Sequence, residues 1–133
     1  MNHWYGNQWL CDMRQGAAKF TCPCCGYCTL SGSPGSYEVC HVCFWEDDPV
    51  QLLDPWYQGG ANSVSLQEAQ KNYAKFGVSE PKFKSNVKGV LPGDQRDPLW
   101  RLVEESDRQH VTTPAQLDKE NPTGPWKWYY YQH

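Results

Sequence analysis

Apolar positions in this chain come in short runs broken by Gly, Pro, Ser and Asp, and one stretch keeps a helical period over several turns. Leu66, Ala69, Tyr73 and Phe76 recur at intervals of three or four and so share one helix face. Ser65-Leu66-Gln67-Glu68 before them is a capping box, with Ser65 as N-cap and Glu68 reaching back. Gly77 is a suitable left-handed C-cap. A helix over 66–76 is predicted, with Lys71 and Lys75 off its apolar face. A second helix is expected from Pro98 to about Gln109, with Asp97 capping, Pro98 at the first position, and Leu99, Trp100, Leu102 and Val103 as its apolar residues. Thr113-Pro114-Ala115-Gln116 signals one or two further turns. Upstream, Tyr27–Leu30 and Tyr37–Val39 have strand composition and flank the turn-rich stretch from Ser31 to Ser36, which predicts a hairpin. Residues 1–19 read as a lead-in, and Trp126–Tyr131 as an edge strand or binding arm.

Two Cys-x-x-Cys pairs, Cys22/Cys25 and Cys40/Cys43, sit at this hairpin with fourteen residues between them. The spacing is close to that of tetrahedral zinc sites. Two intervening residues let one tight turn aim both thiolates at one ion, and two such turns close a four-sulfur shell with no open position. A closed shell holds a fold together and does not activate water, so one structural Zn2+ is expected. Pro23 presets a turn, and Gly26 gives permissive backbone after the second ligand. Cys24 lies inside the first pair, Cys28 forms an overlapping Cys-x-x-Cys with Cys25, and Cys11 stands apart. Cys24 or Cys28 could replace a ligand, but Cys22 with Cys25 puts Pro23 and Gly26 where a knuckle needs them. His41 reads as an exposed turn residue. With seven cysteines and no export signal, a reducing cytoplasm fits better than a secreted disulfide scaffold. Nothing approaches a membrane span.

Aliphatic residues are scarce: nine Leu, nine Val and no Ile. Seven Trp and eight Tyr supply the missing area. The expected architecture is therefore a small α+β fold, a zinc-ribbon β-hairpin with two or three short helices around an aromatic core. Residues 1–133 are read as one domain, with the ribbon at 20–45, an acidic loop and helix at 46–80, and C-terminal helices and an aromatic tail at 81–133. Charge is segregated. Residues 20–70 contain no Lys or Arg and carry −6 from Glu38, Glu46, Asp47, Asp48, Asp54 and Glu68, whereas seven Lys and Arg against three Asp and Glu give +4 over 71–101.

The run Cys22-Pro23-Cys24-Cys25-Gly26-Tyr27, then Tyr37-Glu38-Val39-Cys40-His41-Val42-Cys43-Phe44-Trp45-Glu46-Asp47-Asp48, then Gly59-Gly60-Ala61-Asn62 with Ser65-Leu66 and Asn72-Tyr73, resembles the cysteine-rich CPCC domain of small bacterial proteins over roughly residues 20–80. The resemblance implies a zinc-binding cytosolic protein and no established activity.

Three functions are compatible with these residues. An acidic, aromatic surface of Trp45, Glu46, Asp47, Asp48, Trp56 and Tyr57 has the makeup of an interface hot spot for a basic protein. An immunity protein that blocks a toxin's basic cleft would fit that charge, while nucleic acid is disfavoured by the acidic ribbon. The alternatives are a metal-assisted hydrolase using the Glu46–Asp48 carboxylates and a thiol-based redox sensor through Cys24 and Cys28.

Overall fold

The structure, a computed structural model, describes residues 3–5, 8–10 and 19–111. Strand β1 (His3–Tyr5) pairs antiparallel with β2 (Gln8–Leu10), Trp4 opposite Trp9. Strand β3 (Phe20–Thr21) pairs antiparallel with β4 (Cys28–Leu30), Phe20 opposite Leu30 and Thr21 opposite Cys28. Helices α1 (Pro49–Leu53) and α2 (Leu66–Phe76) follow. Short 3-10 helices lie at Pro81–Phe83 and Glu105–His110. Small antiparallel hairpins with two helices make this a small α+β fold.

Helix α2 forms as its sequence predicts. Ser65 Oγ accepts from Glu68 N at 3.1 Å, and Gly77 ends the helix in the left-handed region at φ 78°. Leu66, Ala69 and Gln70 are buried on its inner face, and Tyr73 packs partly against the core. Helix α1 is an addition to the expected elements. Asp48 caps it through Val50 N at 2.8 Å, and Pro49 sits at its start. The Asp-Pro pair before Val50-Gln51-Leu52-Leu53 is a start signal that could have revealed it.

Three expectations are corrected. Residues 27–30 do not pair with 37–39: β4 pairs back to β3, and Val39 bridges Glu46. Each cysteine pair therefore caps its own hairpin, in place of one hairpin joining both. The second helix expected from Pro98 also differs. Residues 101–104 are irregular and only Glu105–His110 is helical, as a 3-10 turn. Trp100 Nε1 and Val103 N bond outward to Pro23 O and Gln70 Oε1, contacts that hold the segment against the rest of the fold. Among the described residues, finally, no aromatic cluster forms the core. It consists there of Cys22, Cys24, Cys25, Cys40 and Cys43 with Leu30, Val42, Leu52, Leu53, Leu66 and Ala69, joined by Phe20 and Trp45 and flanked by the partly buried Tyr27 and Tyr73. Sulfur and aliphatic carbon make up most of it. The turn expected at 113–116 and the tail at 126–131 lie outside the described residues.

Candidate metal centre

The two cysteine pairs sit on matching backbone turns. In the first, Cys22 N donates to Tyr27 O at 2.9 Å and Gly26 N to Cys22 O at 2.8 Å. In the second, Cys40 N donates to Trp45 O at 2.9 Å and Phe44 N to Cys40 O at 2.8 Å. The offsets from the first cysteine are the same. So is the backbone reversal after the second: Gly26 has φ 82° and Phe44 φ 69°. No internal repeat was visible in the sequence, because one turn uses the residue that tolerates positive φ and the other a phenylalanine that does not.

These turns bring four thiols together. The Sγ atoms of Cys22, Cys25, Cys40 and Cys43 all lie within 4.8 Å of one another. Cys22 Sγ is 3.6 Å from Cys43 Sγ, and Cys25 Sγ is 3.8 Å from Cys40 Sγ. Metal–sulfur bonds of about 2.3 Å in a tetrahedron put sulfurs about 3.8 Å apart, so these sulfurs stand nearly at coordination distance. All four cysteines are fully buried. Thr29 Oγ1 lies 3.0 Å from Cys40 Sγ, and Val42 N donates to the same sulfur at 3.4 Å. Four soft donors in a dry site can hold one metal ion.

The electrostatics of the thiols alone are lopsided. Burial pushes Cys22, Cys25 and Cys43 well above the ordinary thiol range. Cys40 is held far below it by hydrogen bonds from Cys22, Cys25 and Cys43, with Thr29 adding to them. Negative charge is thus drawn toward the Cys40 sulfur. Burial and the nearby Cys25 also raise the Tyr73 hydroxyl.

The remaining cysteines separate. Cys24 is buried and free, outside the four-thiol cluster. Cys28 is disulfide-bonded, which withdraws it from the ligand set. That disulfide runs against the reducing cytoplasm expected from the cysteine count. His41, expected to be exposed, is half-buried and bound through Nε2 to Asp94 Oδ2 at 2.8 Å, away from the metal role.

The family model described as cysteine-rich CPCC matches residues 20–94, which include all four clustered cysteines and reach beyond the motifs that first suggested the likeness. The chain belongs to the cysteine-rich CPCC family. No curated protein matches it. The CPCC span covers both knuckles, α1 and α2, and ends at the partner of His41.

Within the CPCC span the acidic motif is an internal clamp. Trp45 is fully buried, and Asp47 and Asp48 are 1% and 3% exposed. Asp47 Oδ2 accepts from Gly35 N at 2.8 Å, Ser36 N at 3.1 Å and Ser36 Oγ at 3.2 Å. Burial nevertheless raises its carboxyl to about 6. Asp48 caps α1 through one oxygen and takes Ala61 N at 2.7 Å through the other. The peptide of Glu46 is gripped on both sides by Asn62, whose Oδ1 accepts from Glu46 N at 2.9 Å and whose Nδ2 donates to Glu46 O at 2.8 Å. Trp56 is half-buried under the guanidinium of Arg108, 4.1 Å from its ring. Tyr57 is half-buried, with its carbonyl taken by Gln51 Nε2 at 3.1 Å. A contact face built on Trp45, Asp47 and Asp48 is therefore corrected: these three side chains are interior, and their carboxylates tie distant loops to the second knuckle.

Gln51 was missed entirely. Fully buried, it donates through Nε2 to Tyr57 O and Val64 O and accepts through Oε1 from Asn62 N and Nδ2. A glutamine between apolar residues early in a helix carries no sequence signal for such a role.

Proposed function

We propose that this CPCC protein is a zinc-stabilised binding module whose partner is a basic protein. The observation that carries the structural part is the closure of the thiol site. Four fully buried cysteines converge on one point, leaving no open position where water or substrate could reach an ion. Thiolate donors at this spacing favour zinc among the common divalent ions, and the ion would hold together a fold with a thin core. Four metal-bound thiolates suit a reducing compartment such as the cytoplasm, while the Cys28 disulfide stands against it. Among the described residues no helix is long and apolar enough to cross a membrane.

The binding part rests on charge and exposure. Residues 20–70 carry −6 without a single Lys or Arg, and a four-thiolate zinc adds about −2. With Trp45 and Asp47 inside, the aromatic of this lobe that meets solvent is Tyr37, 52% exposed, next to Val39 at 43%. Tyr37 has φ 63°, a conformation that costs a bulky residue energy, and Tyr37 N is pinned to Asp47 O at 2.9 Å. Burial, Asp48 and Glu46 raise its hydroxyl, which sets it in a negative field. A strained, exposed tyrosine in the negative field of Asp48 and Glu46 suits a cationic surface. Immunity to a toxin with a basic cleft is the narrower form of this reading and rests on sign of charge alone. Elemental analysis and capture from the source cell test the two parts separately. Zinc at one per chain is expected, with basic proteins retained by the wild type in low salt and lost with Tyr37→Ala. A metal-free folded protein defeats the first part, and equal capture by Tyr37→Ala defeats the second.

A further inference from the structure

Both knuckles turn their outer carbonyls toward the rest of the chain, but the partners come from different places. In the second knuckle His41 O accepts from Lys88 N at 3.1 Å and Cys43 O from Ser79 N at 2.7 Å, both inside the family span of 20–94. The equivalent carbonyls of the first knuckle reach past that span. Pro23 O accepts from Trp100 Nε1 at 2.7 Å as well as from Gln70 Nε2 at 2.9 Å. Cys25 O accepts from Arg96 Nε at 3.0 Å, and Gly26 O from Asp97 N at 2.8 Å.

Residues 95–97 lie antiparallel along 26–28 through the isolated Tyr27–Arg96 bridge and Cys28 N to Gln95 O at 2.8 Å. The buried Asp97 fastens it, accepting from Thr21 Oγ1 at 2.5 Å. The Trp100 ring closes over the turn so tightly that a Cβ on Gly26 would stand 2.6 Å from Cδ2. Arg96 is stacked between rings, its guanidinium carbon 4.8 Å from Trp100 and 5.4 Å from Tyr27.

Among the described residues, six donors from outside the two knuckles hold their carbonyls, and of these only the Arg96 guanidinium is charged. An ion with four thiolates leaves about −2 at the site. Arg96 sets a cation against that charge, one peptide away from a ligand. For Cys22 or Cys25 to let go of an ion, the knuckle backbone must deform, and each of these hydrogen bonds resists the deformation.

We propose that residues 95–100 are a strap that retains the metal, with Arg96 and Trp100 as positioning residues for the Cys22/Cys25 knuckle, so that the ion leaves from that side when the strap lifts. The proposal rests on the zinc reading above. Support that acts through a ligand's neighbours commonly sets metal affinity by about ten- to a hundredfold.

The test uses the full-length zinc-loaded protein and the rate at which zinc passes to an excess of a chromogenic chelator. Trp100→Phe keeps a ring over Gly26 and removes one N–H. Arg96→Gln removes the charge and Arg96→Lys keeps it. Trp100→Phe and Arg96→Gln are expected to release zinc about tenfold faster or more, with Arg96→Lys between them and wild type. Ser65→Ala removes the cap on Glu68 N, a contact that touches neither knuckle although α2 also carries Gln70, so it is the control for general loosening and should accelerate release far less than the strap variants. Unchanged release from Trp100→Phe and Arg96→Gln overturns the strap, as does equal acceleration by Ser65→Ala. Should Arg96→Gln fail to fold, Arg96→Lys and Trp100→Phe carry the same comparison. A wild-type chain that folds without taking up zinc defeats the metal reading itself, a different result from either.

Discussion

Phe44 stands in the second knuckle where Gly26 stands in the first, four residues after the leading cysteine, at φ 69° against 82°. The two positions are not interchangeable. Gly26 has the Trp100 ring pressed on its missing Cβ, while the Phe44 ring lies 4.6 Å from that of Phe83. Phe44 accepts a backbone cost of about 1–3 kcal/mol, and its contact with Phe83 offsets part of it.

Phe44→Gly should therefore change stability by less than about 1 kcal/mol, since relieved strain and lost packing oppose each other. In a Phe83→Ala background the same change should become stabilising. Gly26→Ala should cost about 2–4 kcal/mol, from the clash with Trp100 and the positive φ together. Chemical denaturation of the metal-loaded variants decides this. A stabilising Gly26→Ala would show that the knuckle geometry is wrong.

Metal uptake should be steeply pH-dependent. Burial raises Cys22, Cys25 and Cys43, so coordination by all four cysteines should release protons from these thiols. Affinity should therefore rise with pH by more than one decade per unit near neutrality. Competition against a chelator of known affinity at several pH values measures the slope. A slope near one would mean that most of the thiols are already ionised.

Asp47 makes a separate, opposite contribution. Its folded carboxyl lies near 6 against an ordinary value of 3.8, so the fold holds that proton more tightly than the unfolded chain does. The stability it contributes is present below 3.8 and is lost as pH rises through about 6. The loss is at most about 3 kcal/mol. Asp47→Asn should remain acceptable to the N–H groups of Gly35 and Ser36 and should gain on wild type as pH rises from 4 to 7. Thermal melts of the pair across that range test the sign, and the metal contribution cancels in the difference.

Gln51→Leu preserves size and should still cost about 3 kcal/mol or more. It takes the partner from Tyr57 O, Val64 O and the buried Asn62 N, and leaves Asn62 Nδ2 only its bond to Glu46 O. Metal content should stay unchanged, because none of these groups touches a thiol. Denaturation with parallel zinc analysis separates the two effects.

Ser65→Ala should lower stability by about 0.5–2 kcal/mol through the lost cap on Glu68 N. A neutral result in a urea melt would mean that α2 is held by packing alone.

The features legible in the sequence were those written in neighbouring residues. The Cys-x-x-Cys turns, Ser65 as cap and Gly77 as stop are each decided within five positions, and each stands as expected. What misled were residues whose roles are set from afar. Asp47 and Asp48 looked exposed because carboxylates usually are, yet N–H groups at 35, 36 and 61 hold them inside. Leu99, Trp100, Leu102 and Val103 read as a helical face, but Leu99 and Leu102 are exposed while Trp100 bonds to Pro23, 77 positions away. Hairpin pairing failed for a related reason. Cys28–Leu30 found the two residues of β3 upstream, where the sequence shows only Phe20 and Thr21 and no alternation long enough to notice.

The strap also fixes an order of events during synthesis. Cys22 and Cys25 are made before Cys40 and Cys43, yet their knuckle is the last to be locked, since Arg96, Asp97 and Trp100 follow Lys88. From Cys25 to Trp100 is 75 residues, about 4–15 s of translation at about 5–20 residues per second. Over that interval the Cys25 and Gly26 carbonyls have none of the strap's donors. Under the proposed strap, an ion that needs all four thiols would enter after Cys43 is made and before Trp100 closes over the first knuckle.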